Sequence, residues 1–135
     1  MKSFLYHLQF NIDFSNISFY KDLMSFLGWS VIFADESAAG FKSGTNGDVW
    51  FIKNETKKQN DHGNIGVSHT SIRVEKQKDV DEVIGFLKEK NVPCLFSTPR
   101  HRPEFSSPGQ TYYQIMFESP DRILLEIVYI GKQTV

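Results

Sequence analysis

Cysteine, long apolar runs and an excess of charge of one sign are all scarce in this sequence. Cys94 is its one cysteine, so no disulfide can form within the chain; this fits a reducing compartment, and we expect a core thiol at a strand edge. No apolar run approaches the ~20 residues needed to span a bilayer, and polar residues interrupt the N-terminal segment too early for a signal peptide. We therefore expect a cytoplasmic protein with no membrane partner.

The charges nearly cancel. There are 15 lysines and arginines and 16 aspartates and glutamates, which gives a formal net charge of -1. No long basic run exists, so the electrostatic footprint of a nucleic-acid-binding protein is missing. What is present is a chain of 135 residues, 40% of them hydrophobic and 14% aromatic. These values predict a single domain, residues 1–135, with one core, and a small molecule as its partner.

The first half of the chain predicts a strand, a helix and three strands. Phe4 to Ile12 alternates apolar and polar residues, with His7 on the polar face. Apolar residues then recur at three- and four-residue spacing up to Gly28, as in an amphipathic helix. Three strands are predicted to follow, with a turn at Gly44 to Gly47 before the last: Trp29 to Ala34, Ser37 to Phe41 and Asp48 to Lys53.

The second half repeats this order after a polar linker, about residues 55–66, in which His62 is expected to be solvated. Val67 to Val74 alternates again, and a helix follows that begins at Asp79 or Asp81. The remaining predicted elements are a strand from Cys94 to Ser97, a loop from Thr98 to Gln110, and a hairpin of Tyr112 to Phe117 and Ile123 to Ile130. The chain is therefore predicted to be an internal duplication, an α+β fold of two βαβββ modules, about residues 1–54 and 67–130.

Three side chains stand out within this duplication. His7 and His69, which are 62 residues apart, lie at equivalent places near the start of each half, so they can converge on one cavity if the sheets curl toward each other. Glu126 is a single carboxylate among four aliphatic residues, and a buried carboxylate is costly unless something meets its charge. A metal ion, an arginine, a helix N-terminus or water in a cavity would each serve.

Short motifs at matching places carry a family resemblance over nearly the whole chain. They are His7 to Ile12 and Leu27-Gly28-Trp29 in the first half, and Ser68 to Val74, Phe117 to Arg122 and Leu125 to Tyr129 in the second. With these motifs the sequence resembles the vicinal oxygen chelate superfamily, which contains glyoxalase I, extradiol dioxygenases, fosfomycin-resistance proteins and bleomycin-resistance proteins. The resemblance implies paired βαβββ modules whose curved mixed sheets enclose a metal-binding cleft.

The resemblance also implies a metal site. The family's ligands match His7, His69 and Glu126, whereas the stretch Val49 to Ile52 lacks the acid that supplies a fourth ligand in glyoxalase I. The set resembles the three-ligand members and leaves about three positions of an octahedral ion for vicinal oxygens of a substrate. The implied function is that of a metal-dependent enzyme of dioxygenase, lyase, isomerase or transferase type, with Fe, Mn, Ni or Zn as cofactor. Family members often build each cleft from two chains, so a monomer or a homodimer could form it.

Candidate substrate-binding residues are cationic or aromatic. Arg73 shares the strand face of His69 and could anchor an anionic tail or form a salt bridge at the rim. Arg100 and Arg102 lie on a loop that could close over the cleft or stay solvated, and arginine suits the recognition of carboxylates. Tyr113 is the candidate catalytic residue, because we favour it over its neighbour as the tyrosine that faces the cleft.

The aromatic candidates also support a second function. Trp50 and Phe51 point to opposite faces of their strand, and whichever faces the cleft places an aromatic wall where a fourth ligand would stand. Tyr112 and Tyr113 divide in the same way. A cleft walled by such residues would suit a metal-free protein that binds and sequesters a small molecule, as the bleomycin-resistance members do.

Overall fold

The structure is a computed structural model that describes residues 1–45 and 47–135. Asn46, within the predicted turn at Gly44 to Gly47, lies outside the described residues. The chain divides into two compact units, Met1–Gln59 and Asn60–Val135, whose boundary falls in the predicted polar linker. No helix of the described ranges is both long enough and apolar enough to cross a membrane.

The first unit has the predicted order of one strand, one helix and three strands. Its elements are β1 (His7–Ile12), a 3₁₀ turn (Phe14–Asn16), α1 (Ile17–Phe26), β2 (Ser30–Ala34), β3 (Ala38–Lys42) and β4 (Asp48–Lys53). The strands form one mixed sheet in the order β1-β4-β3-β2, in which β1 is parallel to β4 and the other pairs are antiparallel. β4 has the predicted bounds, whereas β1 begins at His7 rather than Phe4.

Local signals explain where α1 begins and ends. Asp13 accepts a hydrogen bond from the backbone N–H of Ser15 (3.1 Å) just before the helix. At the other end Gly28 adopts φ +80°, and the N–H of Trp29 donates to the carbonyl of Met24 (2.9 Å). Between these two ends the helix presents one apolar stripe to the sheet. The core of this unit consists of Ile12, Tyr20, Leu23, Met24, Ala39, Phe41, Val49 and Phe51.

The second unit repeats the βαβββ order. Its elements are β5 (Thr70–Val74), α2 (Gln77–Glu89), β6 (Arg100–His101), a 3₁₀ turn (Pro103–Phe105), β7 (Thr111–Glu118) and β8 (Leu124–Gly131). The sheet order β5-β8-β7-β6 repeats that of the first unit, again with one parallel pair, β5 and β8. The predicted α+β duplication of two βαβββ modules is therefore confirmed.

The helix α2 covers one face of this sheet with the stripe that its periodicity predicts. It begins at Gln77, earlier than predicted, because Asp79 accepts a hydrogen bond from the backbone N–H of Lys76 (3.0 Å) and closes the first turn. It ends before Asn91, which takes φ +57°. The core formed by the helix and by β7 and β8 consists of Val80, Val83, Phe86, Leu87, Ile115, Phe117, Ile123, Leu124, Leu125, Ile127 and Val128.

The predicted strand from Cys94 to Ser97 is wrong, because the edge strand β6 lies at Arg100–His101 instead. Phe96 and the serine after it take left-handed conformations, φ +55° and +58°, which a strand does not accommodate. The segment still meets the sheet through a hydrogen bond from the N–H of Leu95 to the carbonyl of Met116 (2.7 Å). A turn therefore occupies the place of the expected edge strand.

The turn from Ser119 to Arg122 joins β7 and β8 as predicted. The hydroxyl of Ser119, which is buried, accepts hydrogen bonds from the N–H groups of Asp121 (3.3 Å) and Ile123 (3.1 Å). Arg122 takes φ +59°, a left-handed conformation that glycine adopts at lower cost. The turn thus has, at Arg122, the backbone conformation that glycine usually adopts.

The middle of the predicted linker is hydrogen-bonded to this turn and to the end of β7. Asn60 donates a side-chain hydrogen bond to the carbonyl of Arg122 (3.0 Å), and Nε2 of His62 lies 2.9 Å from Oε1 of Glu118. His62 is half-buried, so the prediction that it is solvated is wrong. Its partner is 56 residues away along the chain, a contact that no local pattern indicates.

Candidate functional site

The sheet of the second unit has one face against α2. We call the opposite face the open face because α2 does not cover it, although several of its side chains, Glu126 among them, are buried. Side chains of residues paired across neighbouring strands share a face, and Glu126 pairs with Ser71 on one side and Met116 on the other. His69 lies one residue before β5 begins. The open face carries the side chains of Ser71, Arg73, Tyr112, Gln114, Met116, Glu126 and Val128.

Glu126 lies on the inner strand β8, and only 3% of it is exposed. Its two carboxylate oxygens have different partners. The hydroxyl of Tyr112 donates a hydrogen bond to Oε1, and Nε2 of His69 lies 3.2 Å from Oε2. A phenol and an imidazole of the same unit therefore meet the buried carboxylate, and a tyrosine is not among the partners that the sequence suggests.

Tyr113, the tyrosine expected in the cleft, lies on the helix side instead. Its hydroxyl donates a hydrogen bond to Oδ1 of Asp81 on α2 (2.7 Å), and its ring stacks on His101 with 4.5 Å between the centroids. The register of β7 against β8 is the reason, because it pairs Met116 with Glu126 and so puts the even-numbered residues of β7 on the open face. The tyrosine beside Glu126 is Tyr112.

The surroundings of Tyr112 keep its proton in place. Burial, the hydrogen bond to Glu126 and the charge of that carboxylate raise the pKa of Tyr112 to about 12. Ser71, through a hydrogen bond to the same hydroxyl, and Arg102 lower this pKa by less. At neutral pH Tyr112 is therefore an uncharged donor that links Ser71 on β5 to Glu126 on β8.

The loop that follows β6 packs against Tyr112. The N–H of Arg102 donates to the Tyr112 carbonyl (2.7 Å), and the ring of Phe105 meets the tyrosine ring edge-on, with 5.6 Å between centroids. The Arg102 guanidinium pairs with Glu104 (2.5 Å) and lies 4.4 Å from the centroid of the Phe105 ring. Arg102 is thus engaged within its own loop, and it holds the loop beside Tyr112.

The two other candidate arginines occupy different positions on the same unit. Arg73 donates from Nη2 to the carbonyl of Ile130 on the neighbouring strand (3.0 Å). Arg100 is exposed, and its Cα partner on β7 is Gln114, which places Arg100 on the open face. Arg73 is also exposed on that face, but its guanidinium already donates to the Ile130 carbonyl.

Both ring nitrogens of His69 have partners. Nε2 faces Glu126, and Nδ1 lies 3.2 Å from the hydroxyl of Ser68. When Nε2 carries the proton and donates to Glu126, Nδ1 accepts from Ser68. When Nε2 is free of its proton, as a metal ligand must be, Nδ1 donates to Ser68. The serine hydroxyl satisfies either tautomer.

In the first unit, His7 opens β1 and is exposed. Its Cα partner on β4 is Asp48, and Trp50, two residues further along β4, shares their face. The indole Nε1 of Trp50 donates to Oδ2 of Asp48 (2.9 Å). A Cβ at Gly40 would come within 2.9 Å of the indole ring, so a glycine there lets Trp50 lie flat on β3.

Phe51, the other aromatic candidate of β4, belongs to the core. Its ring lies 4.4 Å from that of Tyr20 and 5.6 Å from that of Phe10, measured between centroids, and the residue is buried. The aromatic residue that shares the face of His7 is therefore Trp50, whereas the Phe51 ring lies in the core.

Asp48 is a further candidate residue that no sequence pattern singles out. Its Oδ2 is held by Trp50, whereas Oδ1 is buried and, within the described residues, lacks a hydrogen-bond partner. A buried carboxylate oxygen without a donor is costly, and such groups often mark functional positions. The signal that could have found it is the parallel register of β1 and β4, which sets Asp48 beside His7.

The cavity described in the second unit lies away from these candidates. It has a volume of about 240 Å³ and is lined by Asn91, Val92, Pro93, Leu95, Glu118, Ser119 and Pro120. Its wall is mostly apolar, and none of the predicted site residues contributes to it. Within the second unit, His69, Tyr112 and Glu126 meet on the open face of the sheet instead.

The pair of His69 and Glu126 fits a divalent metal ion. Imidazole nitrogen and carboxylate oxygen bind such ions at about 2.0–2.2 Å, which puts adjacent ligand atoms about 3 Å apart. The 3.2 Å between Nε2 and Oε2 matches that spacing. Within residues 1–45 and 47–135, no three side chains of His, Cys, Asp or Glu lie close enough together to hold an ion. The second unit thus offers two of the three expected ligands.

No protein-family model matches the sequence, and no curated protein matches it. Solved structures do match. A glyoxalase candidate from Bacillus halodurans is 25% identical with a TM-score of 0.76, over 93% of this chain and 94% of that chain. A glyoxalase/bleomycin resistance protein/dioxygenase domain from Frankia is 17% identical with a TM-score of 0.67, over 100% of this chain and 96% of that chain. The chain has the vicinal oxygen chelate fold.

A third structure with the vicinal oxygen chelate fold was solved with ligands. It is the fosfomycin resistance protein FosX from Listeria monocytogenes, in complex with Mn(II) and a dihydroxypropylphosphonic acid. It is 16% identical with a TM-score of 0.65, over 95% of this chain and 90% of that chain. In this chain the motifs that carry the resemblance to the vicinal oxygen chelate superfamily lie on β1, between α1 and β2, on or next to β5, at the turn after β7, and on β8.

Proposed function

We propose that this chain is a glyoxalase-like enzyme that depends on a divalent metal ion and acts on a small substrate with vicinal oxygens. The proposed ligands are His7, His69 and Glu126. The observation that carries the proposal is the 3.2 Å approach of His69 Nε2 to Glu126 Oε2 on the open face of a sheet. Glu126 is 97% buried, and burial disfavours its charge unless a cation or donors compensate, so a divalent ion would add to the stabilisation that Tyr112 and His69 supply.

A divalent ion at such a site would act as a Lewis acid toward two substrate oxygens, with Fe(II) suited to oxygenation and Mn, Ni or Zn to isomerisation or addition. FosX, which shares the fold, supports Mn(II) as the first ion to test. Other residues of this chain would hold the metal ligands in position. Tyr112 keeps Glu126 in place and retains its own proton, and Ser68 supports either tautomer of His69.

The charges around the site favour an anionic substrate. Arg100 is exposed on the open-face side, and Arg73 lies on the same face of β5. Arginine binds carboxylate and phosphonate groups through paired N–H donors. We propose Arg100 as the primary anion contact, because Arg102 is engaged with Glu104 and Arg73 already donates to the Ile130 carbonyl.

The third ligand lies in the other unit, and we propose that it reaches the site by pairing of two chains. The edge strand β2 supports this, since its residues Val31, Ile32 and Phe33 are 61%, 46% and 45% exposed. Large apolar side chains that are exposed next to one another commonly mark interfaces. In such a homodimer, His7 of one chain would complete the site of His69 and Glu126 in its partner.

A metal-free binding protein is the second candidate. The specific observation in its favour is Trp50, which lies flat over Gly40, is held by Asp48, and has the Phe33 ring 5.8 Å away between centroids. A fixed indole beside a second aromatic ring suits the stacking of a flat apolar ligand. Such a protein would need none of the three metal ligands.

Metal analysis separates the two candidates. Protein purified without chelator should contain about one metal ion per chain, and His7→Ala and Glu126→Ala should each lose it. His62→Ala is the matched control, because His62 also lies beside a glutamate, 2.9 Å from Glu118, but outside the proposed site. Metal-free wild-type protein that binds an aromatic ligand through Trp50 would refute the enzyme and support the binding protein.

A mixing experiment tests pairing of chains. Neither His7→Ala nor Glu126→Ala protein should hold the metal alone, but a dimer of one chain of each contains one intact site if each site uses two chains. Refolding the two variants together should therefore restore up to about a quarter of the wild-type metal content. No recovery in a mixture that light scattering shows to be dimeric would mean that each site is built within one chain.

A further inference from the structure

Tyr112 reaches Glu126 from far along the sheet. Its Cα partner on β8 is Ile130, four residues beyond Glu126, which corresponds to about 13 Å along a strand. The residue paired directly with Glu126 is Met116. The hydrogen bond is therefore not a by-product of strand pairing. It depends on a side chain long enough to extend along the open face, and on a hydroxyl at its end.

The position of Tyr112 is fixed at both its ring and its hydroxyl. Phe105 packs edge-on against the ring, and the Tyr112 backbone carbonyl is bonded by the N–H of Arg102. At the hydroxyl, Ser71 is one hydrogen-bond partner and Glu126 Oε1 is the other. A donor held at both ends keeps its proton pointed at one oxygen of the carboxylate.

The other oxygen of the carboxylate faces His69. A glutamate can bind a metal ion through one oxygen or through both. Oε1 carries the tyrosine hydrogen bond, whereas Oε2 lies 3.2 Å from Nε2 of His69, at the spacing of adjacent ligands. In the metal-free protein, Oε1 of Glu126 therefore accepts the tyrosine hydrogen bond, and Oε2 is the oxygen that faces His69.

We infer that Tyr112 is a positioning residue that restricts Glu126 to metal binding through Oε2 alone, which keeps one more coordination position open for substrate. The inference rests on the proposed function, since it needs a metal ion at His69 and Glu126. Without the hydroxyl, Oε1 is free to turn toward the ion and to occupy a position that the substrate would otherwise use.

Cobalt(II) substitution tests this directly, because the position and intensity of the visible d–d bands of Co(II) depend on its ligands and change when a second carboxylate oxygen binds beside a water molecule or replaces one. Tyr112→Phe removes the hydroxyl and keeps the ring against Phe105. The variant is expected to bind Co(II) with visible bands that differ from those of the wild type in position or intensity. Tyr113→Phe is the matched control: it is the same substitution at the next residue, also removes a hydroxyl bonded to a carboxylate, and should leave the spectrum unchanged.

The results distinguish the role of Tyr112 from the metal binding on which it depends. A wild-type chain that takes up no Co(II) overturns both. Uptake by all three proteins with superimposable spectra overturns the role of Tyr112 alone. Should Tyr112→Phe not fold, as judged by circular dichroism, Phe105→Ala carries the test, because this exposed residue holds the tyrosine ring. It should change the bands in the same direction by a smaller amount, and unchanged bands would overturn the inference.

Discussion

The buried hydrogen bond from Tyr112 to Glu126 makes a quantitative prediction about stability. Tyr112→Phe removes one hydroxyl and leaves a carboxylate that is 3% exposed with one donor fewer. Hydrogen bonds to charged groups contribute about 1.5–3 kcal/mol to the free energy of unfolding, and leaving a buried acceptor without its donor costs an amount in the same range. We therefore expect the metal-free variant to lose about 2 kcal/mol of unfolding free energy.

The adjacent tyrosine supplies the comparison. Tyr113 also donates to a carboxylate, at 2.7 Å, but Asp81 is exposed to solvent. Exposed interactions of this kind contribute about 0.2–1 kcal/mol, so Tyr113→Phe should cost less than about 1 kcal/mol. Urea denaturation followed by circular dichroism measures both values under identical conditions. Equal losses in the two variants, or a loss under about 0.5 kcal/mol in Tyr112→Phe, would refute the burial argument.

Three further predictions concern the second unit. Arg122→Gly should raise the unfolding free energy by about 0.5–1 kcal/mol, because glycine relieves the left-handed φ of +59° at some entropic cost; a lower urea midpoint would contradict this. Tyr112 and Tyr113 should each titrate near pH 12, as followed by phenolate absorbance, since burial and hydrogen bonds to carboxylates raise both pKa values to about 12. Because these folded-state pKa values lie above 10, the stability they contribute is present below pH 10 and is lost as the pH rises from 10 to 12; a phenolate titration in which every tyrosine has its midpoint near the ordinary value of about 10 would count against it. Phe117→Ala should cost about 3–5 kcal/mol, because the ring is fully buried, whereas Phe4→Ala, 87% exposed, should cost under about 0.5 kcal/mol; comparable losses would place the core elsewhere.

Much of the fold could be predicted from periodicity. The strand Asp48–Lys53 has the predicted bounds, and the hairpin of β7 and β8 differs from prediction by one residue at each end. These elements alternate or run apolar between clear turn residues, so the local signal and the tertiary environment agree. The wrong strand at residues 94–97 has apolar character but adopts left-handed φ values, and the sequence there gives no warning of them.

The site was harder to predict, because which face a side chain takes depends on register. Alternation shows that Tyr112 and Tyr113 point to opposite sides, but only the pairing of Met116 with Glu126 decides which of them meets the carboxylate. The same holds for Trp50 and its neighbour on β4. Glu126 itself could be recognised as a residue in need of a partner, since a lone acid in an aliphatic strand is costly anywhere in a core.

Manganese binding by Glu126 is the most direct test of the account. Titration of metal-free protein with Mn(II), with the free ion followed by electron paramagnetic resonance, should show about one bound ion per chain in the wild type. Glu126→Gln keeps the size of the side chain and the acceptor for Tyr112 but removes the charge, and it should abolish this binding, while Glu118→Gln, the glutamate beside His62, should bind as the wild type does. Wild-type affinity in Glu126→Gln would contradict the central claim.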